Sequence, residues 1–387
     1  MQAETILFSL LAAEVCGSSV SEEIKTAISS EVLNEVFELA KKHDMAHLAG
    51  QALSKLGVLG EDETSQKLKK CAVQAVYRYV SMNSEYLRTC KELEKAKIPF
   101  IPLKGSVIRD WYPEPWMRTS GDIDIFIHDE DVQPAIRALT EALGYQFVHH
   151  AYYEYTLISA SGVHLELHSG TIERVDSEAK EAVLKTVWKT SVPENGWSYK
   201  RVLPDEMFYF YHVLHMAKHF AHGGCGIRPF LDLWILNHRM PGDREKRDAL
   251  LAQGELTRFA AAVETLTEVW FSGRQPDALS ERVSAYILHG GVYGKGKNMI
   301  AAKRSKGNGS LYSYVLYRLF PPYADMQVRY PILRKHKWLL PFCVVARWFS
   351  PLYNGMFGRA VRELKTNAAV SQEEINSTGE LIKQLGL

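Results

Sequence analysis

Two aspartates one residue apart, in the run Asp122-Ile123-Asp124-Ile125-Phe126-Ile127, are the residues of this 387-residue sequence best suited to chemistry. Alternating acidic and apolar residues suit a strand, and side chains two apart on a strand share a face. Asp122 and Asp124 then converge, while Ile123 and Ile125 pack the other side. Like charges held so close repel unless a cation neutralises them, and hard divalent ions such as Mg²⁺, or Mn²⁺ in its place, take oxygen ligands. A third carboxylate, Glu166, stands between apolar neighbours in Val163-His164-Leu165-Glu166-Leu167-His168, a second expected strand. Carboxylates gathered around divalent ions serve in-line phosphoryl displacement.

Phosphate would also need a cradle. The apolar run at 98–103 ends at Lys104-Gly105-Ser106 and passes into a helix-compatible stretch at 107–111. Such a strand-turn-helix junction presents backbone amides and a hydroxyl at a positive helix terminus, with Lys104 adding a cation. Pro113-Glu114-Pro115 then forces a loop, from which Arg118-Thr119-Ser120-Gly121 leads into the acidic strand. Farther on, His215, Lys218, His219 and His222 recur at three- and four-residue spacing on one helix face, a second polar wall from which Lys218 can reach a triphosphate. His215 and His219 have the spacing of a zinc pair but lack the Glu of an H-E-x-x-H site, so zinc is not expected. Arg228 and Asp232, four apart, are expected to pair and fix their helix against the catalytic lobe. His164 and His168 share the face of Glu166 and read first as satisfied core residues, second as groups that orient a carboxylate or move a proton.

The elements that must position these groups fall into three stretches. Residues 1–96 carry helical periodicity, as at Val32, Val36, Leu39 and Ala40, and 63–96 reads as one long helix. Residues 97–200 hold the strands, including three more at 145–149, 153–159 and 163–168, with a helix at 131–143 closed by Gly144. From Pro204 the helical period returns, giving a C-terminal lobe at 201–387. The expected fold class is therefore α+β: a small mixed-sheet core flanked by helical lobes. Residues 290–310, basic through Lys295, Lys297, Lys303, Arg304 and Lys306 and rich in glycine, show little apolar periodicity and read as a mobile loop.

Composition narrows the partners. Lys and Arg number 46 against 45 Asp and Glu, so the net charge of +1 gives no global attraction to nucleic acid or anionic lipid, and any basic site is local. Cys16, Cys71, Cys90, Cys225 and Cys343 are scattered without a CxxC spacing, which opposes a disulfide framework and fits a reducing cytoplasm. The apolar run at 6–15 contains Glu14 and lacks a basic leader, so it reads as a helix face rather than a signal peptide. Residues 338–349 fall short of the roughly 20 needed to span a bilayer and are interrupted by Pro341 and Arg347. No integral membrane segment is expected, and surface association is the one membrane reading that this length allows.

Taken in order, these motifs resemble the polymerase-beta-like nucleotidyltransferase superfamily, with Gly105-Ser106 as the turn opening a helix, Asp122-Ile123-Asp124 as the acidic strand and Glu166 as the third acid. More closely, Ile101-Pro102-Leu103-Lys104-Gly105, Tyr112-Pro113-Glu114-Pro115, and Arg118 with Gly121-Asp122-Ile123-Asp124 look like a bacterial family of uncharacterised nucleotidyltransferases. The likeness spans residues 95–235 and continues on the flanks only as helical character. Fifteen residues separate Ser106 from Asp122, longer than in many members of the superfamily but usual for the closer family.

The resemblance implies transfer of a nucleoside monophosphate from a nucleoside triphosphate to an acceptor, with pyrophosphate leaving, at one or two Mg²⁺ ions. Asp122, Asp124 and Glu166 would be the catalytic residues and metal ligands, with Glu166 as base. Lys104, Gly105, Ser106, Arg118 and Lys218 would hold the triphosphate. The acceptor, whether small molecule, saccharide, protein or RNA, is not implied. A glycosyltransferase using Asp-x-Asp is opposed by the helical pattern of residues 1–96, where such enzymes place a nucleotide-binding α/β unit. A non-catalytic nucleotide-binding relative shares the same motifs, and a toxin-like enzyme acting on RNA fits poorly with near-zero net charge.

Overall fold

Polar caps and apolar periodicity set the N-terminal helices, seen in a computed structural model that describes residues 2–175, 177–240, 242–292, 296–306, 316, 319–353 and 370–387. These helices are α1 (Ala3–Leu11), α2 (Glu22–Thr26), α3 (Ser30–Lys42), α4 (Ala46–Lys55) and α5 (Glu63–Lys95). The Ser29 side chain accepts from Val32 N at 3.3 Å to start α3, and Asp62 accepts from Ser65 N at 3.0 Å to start α5. With no Gly or Pro inside it, α5 runs unbroken for 33 residues, the single long helix that its sequence predicts.

Five strands follow in one sheet: β1 (Phe100–Pro102), β2 (Asp122–Ile127), β3 (Gln146–Ala151), β4 (Glu154–Ile158) and β5 (His164–His168), in the order β1-β2-β5-β4-β3. Only β2 and β5 run parallel; the other pairs are antiparallel. Helix α6 (Gly105–Ile108) opens directly after the turn that follows β1, and α7 (Val132–Leu143) ends on Gly144 in the left-handed conformation, φ 73°. Alternation then gives the sheet two chemistries. Ile123, Ile125 and Ile127 of β2 and Leu165 and Leu167 of β5 join one core with Met82, Tyr86, Cys90 and Leu93 of α5 and Val132, Ala135 and Leu139 of α7. Asp122, Asp124, Glu166 and His168 take the alternate positions on the same two strands.

The remaining helices include α8 (Glu178–Leu184), α9 (Val187–Thr190), α10 (Asp205–Ala221), α11 (Arg228–His238), α12 (Arg244–Gln253), α13 (Thr257–Phe271), α14 (Ala278–Gly290) and α15 (Gly296–Lys306), with Leu340–Tyr353 and Gln372–Gln384 among those toward the C-terminus. The fold class is thus α+β, a mixed sheet flanked by helical N- and C-terminal regions. The chain divides into two compact units, Met1–Met216 with Ile227–Ser284, and Ala217–Gly226 with Ala285–Leu387. The sheet and the N-terminal helices share the first.

In the second unit, Ile300 and Ala301 of α15 pack with Val370 and Ile375. Residues 296–306 are therefore helical where the sequence reads as a loop, because the apolar residues fall in one run, Met299-Ile300-Ala301-Ala302, which shows no period. Lys295 and residues 307–310 of that basic stretch lie outside the described residues. Among the described residues no helix is long and apolar enough to cross a membrane.

The core face of β2 is where stability should be most sensitive. Ile125→Ala, at a fully buried position, is expected to cost about 2–5 kcal/mol in urea unfolding. Val73→Ala on the solvent face of α5, where the side chain is 70% exposed, should stay within about 0.5 kcal/mol.

Candidate active site

The parallel register of β2 and β5 sets Asp124 opposite Glu166 and Phe126 opposite His168. One carboxylate oxygen each from Asp124 and Glu166 and one ring nitrogen of His168 lie within 4.8 Å of one another. Asp124 is only 2% exposed, and its Oδ1 accepts from Lys104 Nζ at 2.7 Å and from His168 Nε2 at 2.9 Å. Burial alone would raise its pKa, but the Lys104 charge and the His168 hydrogen bond reverse this and hold the carboxyl well below the usual range. Asp122 is pushed up, first by the charge of Asp124 and then by burial. Glu166 is pushed up to about 8 by burial and then by both aspartates, with Glu154 adding to the repulsion.

Three carboxylates on this face therefore do not all ionise near neutrality on the strength of Lys104 alone. A divalent cation fits the donor set, since it would supply the missing positive charge to oxygen ligands. Lys104 itself stays protonated: burial works against its charge, but Asp124 outweighs burial and raises its pKa well above the ordinary value.

Local geometry explains how Lys104 reaches Asp124. Leu103 N donates to Asp124 O at 3.0 Å, extending the β1–β2 pairing up to the turn. Lys104 then adopts φ 48°, ψ −125°, a backbone conformation that favours glycine, and starts α6. Gly105 follows for a steric reason, because a Cβ there would lie 2.1 Å from Ser120 Oγ. Its place in the motif is explained by the close approach of the 118–121 loop. Ser106 is buried, its Oγ has no hydrogen-bond partner among the described residues, and it lines a cavity of about 310 Å³ with Tyr86, Asp110, Trp111, Glu194 and Lys200. None of Asp122, Asp124 and Glu166 lines that cavity.

A second layer surrounds the carboxylates. The His168 ring stacks on Tyr153 at 5.6 Å, Tyr153 Oη donates to Glu173 Oε1 at 2.9 Å, and His215 Nδ1 donates to Glu173 Oε2 at 2.6 Å. Burial lowers the His215 pKa, so this ring is neutral near pH 7 and engaged by Glu173. Tyr211 of α10 is buried with no hydrogen-bond partner for its hydroxyl among the described residues, and burial raises its pKa far above the ordinary value against the charge of Lys104.

Arg118 is anchored by an acidic partner. Its Nε donates to Asp232 Oδ1 at 2.7 Å and Oδ2 at 3.0 Å, and Tyr112 Oη donates to the same Oδ1 at 2.7 Å. The expected Arg228–Asp232 pair is replaced by this one. Arg228 Nη1 instead donates to Asp44 Oδ2 at 3.3 Å and to Thr119 O at 3.2 Å, and its buried Nε has no hydrogen-bond partner among the described residues. Both arginines lower the pKa of Asp122, so Arg228 is a cation within electrostatic reach of the acidic face. His47 Nε2 donates to Met117 O at 2.9 Å, tying the same loop to α4. Lys218 belongs to the second unit, where its carbonyl accepts from His222 Nδ1 at 2.6 Å.

The structure thus brings together Lys104, Asp122, Asp124 and Glu166 and adds His168, Arg228 and Tyr211. His168 carried a readable signal, since it lies two residues beyond Glu166 on the same strand face. Arg228 and Tyr211 carried none, because their nearness depends on how α10 and α11 pack.

Among known families, the one described as "Uncharacterised nucleotidyltransferase" matches residues 29–272, and the chain belongs to it. No curated protein matches the chain. The matched span runs from α3 to α13 and so includes both α4 and α11, the helices that hold the loop before β2.

The Arg118–Asp232 pair sets a pH dependence. Burial would raise the Asp232 pKa, but Arg118 depresses it below its unfolded value of about 3.9. A depressed carboxylate contributes stability that is present above the unfolded pKa and lost as pH falls through the folded one. Asp232→Ala leaves Arg118 buried without its partner and is expected to cost about 3–5 kcal/mol at pH 7. Thermal melts of the variant should also lose less stability than the wild type on acidification below about pH 4.

Proposed function

We propose that this chain transfers a nucleoside monophosphate from a nucleoside triphosphate to an acceptor hydroxyl, with pyrophosphate leaving. The observation that carries the reading is the convergence of Asp124, Glu166 and His168 on adjacent parallel strands, with Asp122 on the same face. Asp122, Asp124 and Glu166 would hold Mg²⁺ or Mn²⁺, since carboxylates suit both ions. Such an ion, when bound, neutralises phosphate charge and lowers the barrier to displacement at phosphorus.

The protein's own groups divide the remaining work. His168 fixes the orientation of Asp124 through its Nε2 hydrogen bond. Lys104 keeps Asp124 ionised and would offer a cation to an incoming phosphate. Glu166, opposite Asp124 in the strand register and ionised once a cation relieves the repulsion of the aspartates, would take the acceptor proton. Arg228 would share the phosphate-binding part with Arg118, since both act on Asp122 and the Arg228 Nε has no hydrogen-bond partner among the described residues.

Incubation with each α-labelled triphosphate, Mg²⁺ or Mn²⁺ and cell extract should yield a labelled acceptor. The double variant Asp122→Ala, Asp124→Ala should give none, and label transfer at the wild-type rate in that variant would remove the mechanism. In the same assay Arg228→Ala is expected to raise the KM for the triphosphate about tenfold or more, the scale of a lost charge-assisted hydrogen bond. An unchanged KM would return the phosphate to other cations.

A further inference from the structure

One surface of the second unit has no part in the site described above. The helix Leu340–Tyr353 carries Phe342, Val345 and Phe349 at three- and four-residue spacing, and Trp338 lies four residues before Phe342. Successive residues on an α-helix turn by about 100°, which places Phe342, Val345 and Phe349 within a narrow stripe that Trp338, in the 3-10 turn Lys337–Leu339, extends. The stripe faces solvent: Trp338 is 69% exposed, Phe342 68%, Val345 46% and Phe349 52%. The opposite side of the helix is already used, with Cys343 and Val344 packed against Met326 and Leu333. Trp338 and Phe342 touch edge to face at 6.4 Å, so the exposed rings form one patch rather than isolated side chains.

Charge tells what covers it. Between Met326 and Phe349 the sequence has five Lys or Arg and no Asp or Glu, although the whole chain is nearly balanced at +1. Lys335 and Lys337, just before the helix, are exposed. Aromatic and aliphatic side chains along one edge beside exposed lysines describe a helix that lies in the plane of a membrane interface. A second copy of this chain is a poor occupant, because a two-fold contact would bring the exposed Lys335 and Lys337 of both copies to one interface.

We infer that the helix Leu340–Tyr353 docks the protein onto an anionic lipid surface, with Trp338, Phe342, Val345 and Phe349 entering the headgroup region and Lys335 and Lys337 meeting acidic headgroups. The helix lies on the bilayer and does not cross it, in keeping with its 14 residues. Each lysine contributes through a field that salt screens, so docking weakens as ionic strength rises.

The test uses the full chain, with vesicles of phosphatidylcholine alone or mixed in equal parts with phosphatidylglycerol. The wild type should cosediment with the mixed vesicles at low salt, and much less with neutral vesicles or at high salt. The double variant Lys335→Gln, Lys337→Gln should bind the mixed vesicles about thirtyfold more weakly, with an unchanged thermal melt. Phe342→Asp should lose binding at every salt concentration. Wild-type protein that stays in the supernatant with mixed vesicles at low salt overturns the inference. So does a wild-type dimer that ignores vesicles and is made monomeric by Phe342→Asp, since the stripe would then belong to a second copy.

Discussion

Everything at the acidic face follows from putting negative charge on two adjacent parallel strands. The β2–β5 register brings Asp124 and Glu166 side by side, and strand alternation adds Asp122 and His168 to the same surface. Burial makes that crowding consequential, because an unscreened charge in a low-dielectric setting raises the pKa of its neighbours. Asp124 escapes by holding Lys104 and His168, so the cost passes to Glu166, which is left with a carboxyl titrating at about 8. The same imbalance gives the face an oxygen donor set that a divalent cation fits.

The surrounding helices act mainly through the loop at 112–121. That loop has little core of its own; it is held by His47 from α4, Asp232 from α11 and Arg228 at the start of α11. Arg118 turns inward, and with Tyr112 it satisfies Asp232 at the base of the loop. Without these ties the chain entering β2 would have no fixed path, and Asp122 sits at the first position of that strand. The N-terminal helices are thus part of the site's framework, although their sequence shows only helical periodicity.

What could be read from the sequence was what is local. Alternation put Asp122, Asp124 and Glu166 on one face, and the pairing of β2 with β5 bears that out in register. The single long α5, the glycine stop after α7 and the strand-turn-helix at Lys104 were legible for the same reason: each depends on neighbours a few residues away. Arg118 and Asp232 lie 114 residues apart, and nothing in either segment marks the other as its partner. A helix spacing of four made Arg228 the natural guess for Asp232, but a buried carboxylate is satisfied by whichever cation the packing delivers. Ser106 shows the same limit, since the rotation of a one-turn helix decides which side of the turn its hydroxyl faces.

Lys104 and Asp44 show where chemistry overrides backbone comfort. Both are non-glycine residues at positive φ, 48° and 57°, where a side chain costs on the order of 1–3 kcal/mol. Glycine would relieve each turn, yet each side chain carries a charge that the turn itself delivers. Lys104 reaches Asp124 only because the chain reverses sharply at the end of β1, and Asp44 meets Arg228 and Thr119 from the link between α3 and α4. Strain at those two positions is therefore confined to residues whose charge is needed nearby. The turn at Lys104 is the closer to function, since a glycine there would leave Asp124 with His168 as its one remaining hydrogen-bonding side chain among the described residues.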